Sequence, residues 1–212
     1  MEEISKKVID QALTHEGETL VDVYISYPGL MQNTRGARRV DRFYEHSAKK
    51  LLFFAKHEIM PLAAKARKIC EDEGCVFSSV SVKTDFYTTF FEGNCLSLWR
   101  EVTVSGLEGC DTTRYGDTWD ISCGLPLTLR DLLGSGYKKQ LFNCEEAKKY
   151  GKRLLRKYFD SKRFWLCDGL AVVFYEPGTI APLERGIVTF NLKRPVIKQN
   201  GELSIEKSGE NC

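Results

Sequence analysis

The sequence predicts an α+β fold: a single antiparallel-rich β-sheet with a long kinked helix and a second helix packed on one face. Three observations carry this. Two alternating apolar segments meet at Gly93–Asn94, the signature of a hairpin. Apolar residues from Val40 to Ile69 recur at steps of three, four and seven, which is helical periodicity. The helical stretches are separated by runs of strands and do not alternate with single strands, so a parallel doubly wound sheet is not indicated.

Taken in order, residues 1–20 read as an N-terminal extension, with a short helix over Glu3–Leu13 and a polar His-Glu-Gly-Glu connection. Val21, Val23, Ile25 and Tyr27 then alternate with Asp22, Tyr24 and Ser26, a half-buried strand that Pro28 and Gly29 end. The long helix follows the turn Asn33–Gly36 and places Val40, Tyr44, Leu51, Ala55, Ile59, Leu62 and Ala66 on one face. Pro61 lies inside it, where the missing N–H and the ring impose a kink, and Gly74 stops it.

In the hairpin, Val80, Val82, Thr84, Phe86 and Phe90 share one face and Ser79, Ser81, Lys83 and Tyr87 the other, with Leu96, Leu98, Val102 and Val104 returning. Residues 106–117 (GLEGCDTTRYGD) read as a Gly-rich loop, before a short strand TWDIS, a Cys123–Gly124 turn and LPLTLRDLL. Asn143 and Glu146 have capping-box spacing, predicting a helix over about 144–158. Leu170–Tyr175 is apolar without alternation, as in a strand covered on both faces. The core domain therefore spans 21–195, and the polar residues 196–212 form a mobile tail.

Composition excludes more than it assigns. The 31 basic and 29 acidic residues give a net charge of +2, with no basic field of the kind nucleic acid requires. Lys56 and His57 interrupt the best apolar run, LLFFA, so no segment approaches the roughly 20 residues of a membrane span. The polar first residues lack the apolar run of an export signal, which predicts a cytoplasmic protein. The eight cysteines lack paired spacing and read as free thiols; only Cys70 and Cys75 are close, which is not a zinc pattern. No cofactor and no metal site are predicted.

Two stretches carry a family pattern. One is DTWDISCGLPLTLRDLL, with Asp120, Gly124, Leu127, Leu129, Asp131 and Leu132. The other is FWLCDGLAVVFYEPGTIAPLERGIVTF, with Asp168, Gly169 and Leu170, then Ile180, Ala181, Pro182 and Gly186. Over residues 20–195 the chain resembles the C-terminal domain of RsiV-type lysozyme-binding anti-sigma factors, which also accompanies the catalytic module of PdaC-type peptidoglycan deacetylases. The resemblance implies an α+β binding domain and brings no catalytic residue with it. It implies a protein or cell-wall glycan partner, in a family whose known members are exported or tethered.

His46 and His57 share a helix face but stand roughly 16 Å apart in rise, too far for a common metal or proton relay. Asp117, Asp120, Asp168 and Glu176 are the loop acids from which a glycosidase or peptidase pair would be drawn, the alternative reading being a hydrolase of carbohydrate or peptide. Asp120 and Asp168 are more simply explained as turn braces. Cys110 and Cys123 adjoin glycines but have no histidine base nearby in sequence, and Gly106–Gly109 lacks the Lys-Ser or Lys-Thr of a phosphate loop. Arginine and aromatic residues are the types that grip partners, so the binding candidates are Arg114, Tyr115, Asp117, Trp119 and Glu176. The expected function is a non-enzymatic binding or sensor-type module.

Overall fold

The computed structural model describes residues 4–107 and 109–193, which form an α+β fold with two sheets, not one. The predicted tail at 196–212 lies outside the described residues. The chain divides into two compact units, one of residues up to 115 with 119–125, the other of 116–118 and the residues from 126 on.

The larger sheet holds six strands in the order β1 (Ile4–His15), β2 (Glu18–Leu30), β3 (Val80–Glu92), β4 (Cys95–Ser105), β5 (Cys110–Asp120) and β6 (Leu125–Pro126). It is mixed. β1 runs antiparallel to β2 and β3 to β4, but β2 and β3 are parallel, with Val21 opposite Val80 and Ile25 opposite Thr84. A parallel pair needs a long crossover, and the helical segment between them supplies it.

The first twelve of these residues correct the sequence reading. Ile4, Val8, Ile9, Ala12 and Leu13 have helical spacing, yet the segment is an edge strand paired along β2, with one register shift between Leu13 and Thr14. Glu16 and Gly17, both at positive φ, make the two-residue turn. The turn is tied down from outside: Arg67 reaches Glu18 at 3.2 Å and Glu71 at 2.8 Å, with Glu16 at 3.9 Å. The strand β2 also passes through Pro28 and Gly29 to Leu30, because Pro28 opposes Lys6 on the edge strand.

Helix α1 (Arg35–Phe54) is capped by Thr34, whose hydroxyl accepts from the Ala37 N–H. Instead of a simple kink, the chain makes a π-helical turn over Ala55–Ile59 before continuing as α2 (Met60–Glu73). The Met60 N–H reaches the Ala55 carbonyl, and Pro61 sits at the start of the next segment, where its absent N–H costs nothing.

The helix buries two groups of side chains against the sheet. Near its start, Val40 and Tyr44 join Leu96, Leu98, Trp119 and Ile121. Farther on, Ala48, Ala55, Ile59 and Ala63 join Val21, Val23, Ile25, Val80 and Val82. Gly36 sets how close the helix comes, since a Cβ there would lie 2.2 Å from the Ile121 carbonyl oxygen.

In the second unit, β7 (Phe164–Cys167), β8 (Leu170–Tyr175) and β9 (Val188–Lys193) form an antiparallel sheet with β8 central. That position explains the unbroken apolar run of β8, buried from Ala171 to Tyr175. The predicted helix over 144–158 is replaced by two short pieces, α5 (Glu145–Lys148) and α6 (Lys152–Tyr158), which follow α3 (Leu129–Leu133) and α4 (Tyr137–Asn143). Gly151, at φ 77°, breaks the run. Asn143 caps nothing; its side chain donates to the Lys139 carbonyl and accepts from Lys152. The real capping box is Thr128 with Asp131, at the head of α3.

Candidate functional site

The predicted Gly-rich loop is mostly a strand. β5 begins at Cys110, so Arg114, Tyr115, Asp117 and Trp119 stand on a sheet and not on a flexible connection. Successive side chains of a strand point to opposite faces, and the candidates are divided accordingly.

Arg114 lies on the solvent face. Its Nε and Nη2 donate to Glu101 Oε1 at 2.9 and 2.5 Å, and its guanidinium covers Trp99 at 4.4 Å from the ring centre. Trp99 stacks on Tyr87, its register partner across β3–β4, at 5.7 Å and 24°. A row Tyr87–Trp99–Arg114 therefore crosses three strands, with Tyr87 60% exposed at its end. Beside it lies a shallow groove of about 250 Å³ edged by Lys83, Asp85, Glu101 and Thr103. Asp85 accepts from Ser26 at 2.9 Å and from Lys6 at 3.2 Å. Burial pushes its carboxyl up, but hydrogen bonds from Ser26, Lys6 and the Phe86 N–H outweigh this and hold it below the ordinary carboxylate range.

Tyr115 lies on the opposite, helix-facing side, where its ring and that of Tyr44 flank the Arg100 guanidinium at 5.1 and 5.6 Å. These three border a cavity of about 310 Å³ between α1 and the sheet. Its walls include Ile25, Ala48, Leu51, Phe54 and Val102, with Lys50 and Thr84 among the polar residues. Trp119, a binding candidate from sequence, is instead a core residue, 6% exposed, whose indole N–H donates to the Tyr44 hydroxyl at 2.8 Å.

Asp117 belongs to the short stretch that clusters with the second unit. Glu176 is in the second unit, half-buried beside Arg163 at 3.6 Å. Asp120 braces a turn, accepting from the Ser122 hydroxyl at 2.5 Å and its N–H at 2.9 Å, and the hydroxyl leads in holding its carboxyl low. Asp168, at φ 46°, forms the turn between β7 and β8. Cys110 and Cys123 are exposed, and all seven described cysteines are free thiols. Among the described residues, no group of three or more His, Cys, Asp or Glu side chains is placed to hold a metal ion, and no helix is long and apolar enough to cross a membrane.

Sequence reasoning missed Tyr87, Trp99 and Arg100, which the hairpin pattern alone presents as packing residues. Their signal was cross-strand pairing: aromatic and cationic side chains on adjacent strands meet on one face.

No protein-family model matches the sequence, and no curated protein is detectably similar to it. Its structure is similar to a crystal structure of a DUF3298-family member from Bacteroides fragilis NCTC 9343, with a TM-score of 0.65 and 14% identity over 91% of this chain and 90% of that one. It is likewise similar to a DUF3298-family protein from Pseudomonas aeruginosa PAO1, with a TM-score of 0.57 and 13% identity over 91% of each chain. At these identities the likeness is one of fold, and the fold this chain shares is that of these DUF3298 proteins.

Proposed function

We propose that this protein is a non-enzymatic binding module of the sensor type, and that the solvent face of β3–β5 is its recognition surface. The observation that carries the reading is the Tyr87–Trp99–Arg114 row. Tyrosine, tryptophan and arginine dominate binding energy at protein interfaces, because a rigid ring or planar cation contributes large contact for little ordering cost. Here each is immobilised in advance: Trp99 between Tyr87 and Arg114, and Arg114 by Glu101.

Of the loop acids on which the hydrolase alternative rests, Asp120 is held by the Ser122 hydroxyl and N–H and Asp168 forms the β7–β8 turn, so two of them have a structural use.

The RsiV-like resemblance supplies the partner class: a lysozyme or a cell-wall glycan. The test is surface-immobilised full chain exposed to a lysozyme and, separately, to soluble peptidoglycan fragments. Binding by one of them, weakened about tenfold or more in Tyr87→Ala and Arg114→Ala with unchanged circular dichroism, is the expected result. Binding that ignores both substitutions would remove this face from the reading, and silence from both ligands would remove the partner class.

A further inference from the structure

The space under α1 lies on the other side of the sheet from the proposed recognition surface. It falls where the two core groups of the first unit part, with Tyr44 belonging to one and Ala48 and Ile25 to the other. The helix approaches backbone atoms closely at Gly36, yet here it leaves a pocket of about 310 Å³ that opens to solvent beside Phe54 and Tyr115. Its size is at the lower end of small-molecule sites, which begin at about 300 Å³.

The lining defines the ligand chemistry. At about 30 Å³ per water-sized group, the cavity accepts roughly ten non-hydrogen atoms. Ile25, Leu51, Phe54 and Val102 offer hydrocarbon contact. Arg100 and Lys50 line the space, and no Asp or Glu side chain does. Three acids adjoin lining residues in sequence, and each is engaged elsewhere: Glu45 with Lys49, Asp85 with Ser26 and Lys6, and Glu101 with Arg114. The Tyr44 and Tyr115 rings orient the Arg100 guanidinium, whose five donors allow it to hold a ligand oxygen alongside its protein contacts. Thr84 adds a second, independent feature: it is 4% exposed, and its hydroxyl makes no hydrogen bond within the described residues. A buried polar atom without a partner is costly, and a ligand oxygen seated over it relieves that cost.

We propose that the cavity between α1 and β2–β5 binds a medium-chain monocarboxylate, with the carboxylate at Arg100 and Lys50 and the alkyl chain along Leu51, Phe54 and Val102. Octanoate, with ten non-hydrogen atoms, is the matching probe. Calorimetric titration of the full chain compares octanoate with 1-octanol, which keeps the tail and removes the charge, and with acetate, which does the reverse. The expected outcome is one octanoate per chain, octanol weaker by about tenfold or more, and no measurable heat from acetate.

Arg100→Gln weakens octanoate about tenfold or more and leaves octanol unchanged, while Arg100→Lys recovers part of the loss. Ser47→Trp, on the half-buried side of α1 at the cavity, fills the opening and abolishes binding of both ligands, with an unchanged circular dichroism spectrum as the control for folding. The proposal is overturned if octanoate gives no heat at millimolar concentration, if octanol binds as tightly as octanoate, or if binding survives Ser47→Trp. None of these results touches the recognition surface at Tyr87, which is read with different ligands.

Discussion

The two faces of β3–β5 are built from the same strands by opposite rules. On the solvent face two ion pairs form, Arg114 with Glu101 and Lys6 with Asp85. Aromatic rings fill the gaps between them. On the helix side a space is left open, and the Thr84 hydroxyl beneath it is buried without a partner. A surface whose polar groups satisfy one another is complete by itself and is ready for a large, flat contact. An interior that keeps an unsatisfied hydroxyl beside empty volume gives up stability, and such violations concentrate at functional sites.

The sharpest way to break the contrast is to push the helix off the inner face. In Gly36→Ala the new Cβ meets the Ile121 and Ser122 backbone at 2.2 to 2.6 Å, and backbone cannot swing aside as a flexible side chain does. The expected loss is about 3 kcal/mol, the upper part of the usual overpacking cost. It is read as a lowered urea midpoint, and a midpoint within experimental error of wild type would show that the helix is not seated where the geometry puts it.

The contrast also explains what the amino-acid order disclosed. The β3–β4 hairpin was legible because one face is apolar, the other polar, and Gly93–Asn94 marks the reversal. β1 was not, since its apolar residues fall at helical spacing and only pairing with β2 decides the matter, a tertiary effect that overrides local preference. β5 was hidden for a related reason. Its side chains Asp111, Thr112, Thr113 and Arg114 show no apolar alternation, because this stretch is largely exposed and has no core to alternate against.

The candidate site was legible only in part, and the reason is register. Arg114 and Tyr115 were found by residue type. Counting outward from the Glu92–Cys95 pair would place Tyr87 opposite Arg100. A bulge between Thr88 and Phe90 moves Tyr87 onto Trp99, while Arg100 keeps the helix side by alternation with Leu96 and Leu98. One unpaired residue thus creates the aromatic pair outside, and nothing local in the sequence announces it. The cavity is less legible still, drawing residues from four strands and a helix.

A smaller effect of opposite sign sharpens the comparison. Thr84→Val keeps the shape of the side chain, removes the buried hydroxyl and suits a strand. It is expected to stabilise the protein by about 1 kcal/mol, visible as a higher urea midpoint at unchanged slope. An equal loss of stability would mean that the hydroxyl is hydrogen-bonded after all and that the inner face is as complete as the outer.

The smallest effect belongs to the outer face and is read with pH. Asp85 is held below its ordinary value, so the folded state releases its proton more readily than the unfolded chain does. Its contribution is therefore present above the unfolded carboxylate pKa and lost as pH falls through the lower, folded value. Lys6 is raised, led by its hydrogen bond to Asp85, so its share is present below the unfolded lysine pKa and lost as pH rises through the folded one. Both partners are about half exposed, so solvent and salt keep the contribution of the pair small. Titrating stability from about pH 6 to about pH 2 in wild type and Asp85→Asn separates it from the other carboxylates. The variant should show a shallower acid limb and a reduced response to salt. Identical limbs would place the acid sensitivity on carboxylates other than Asp85.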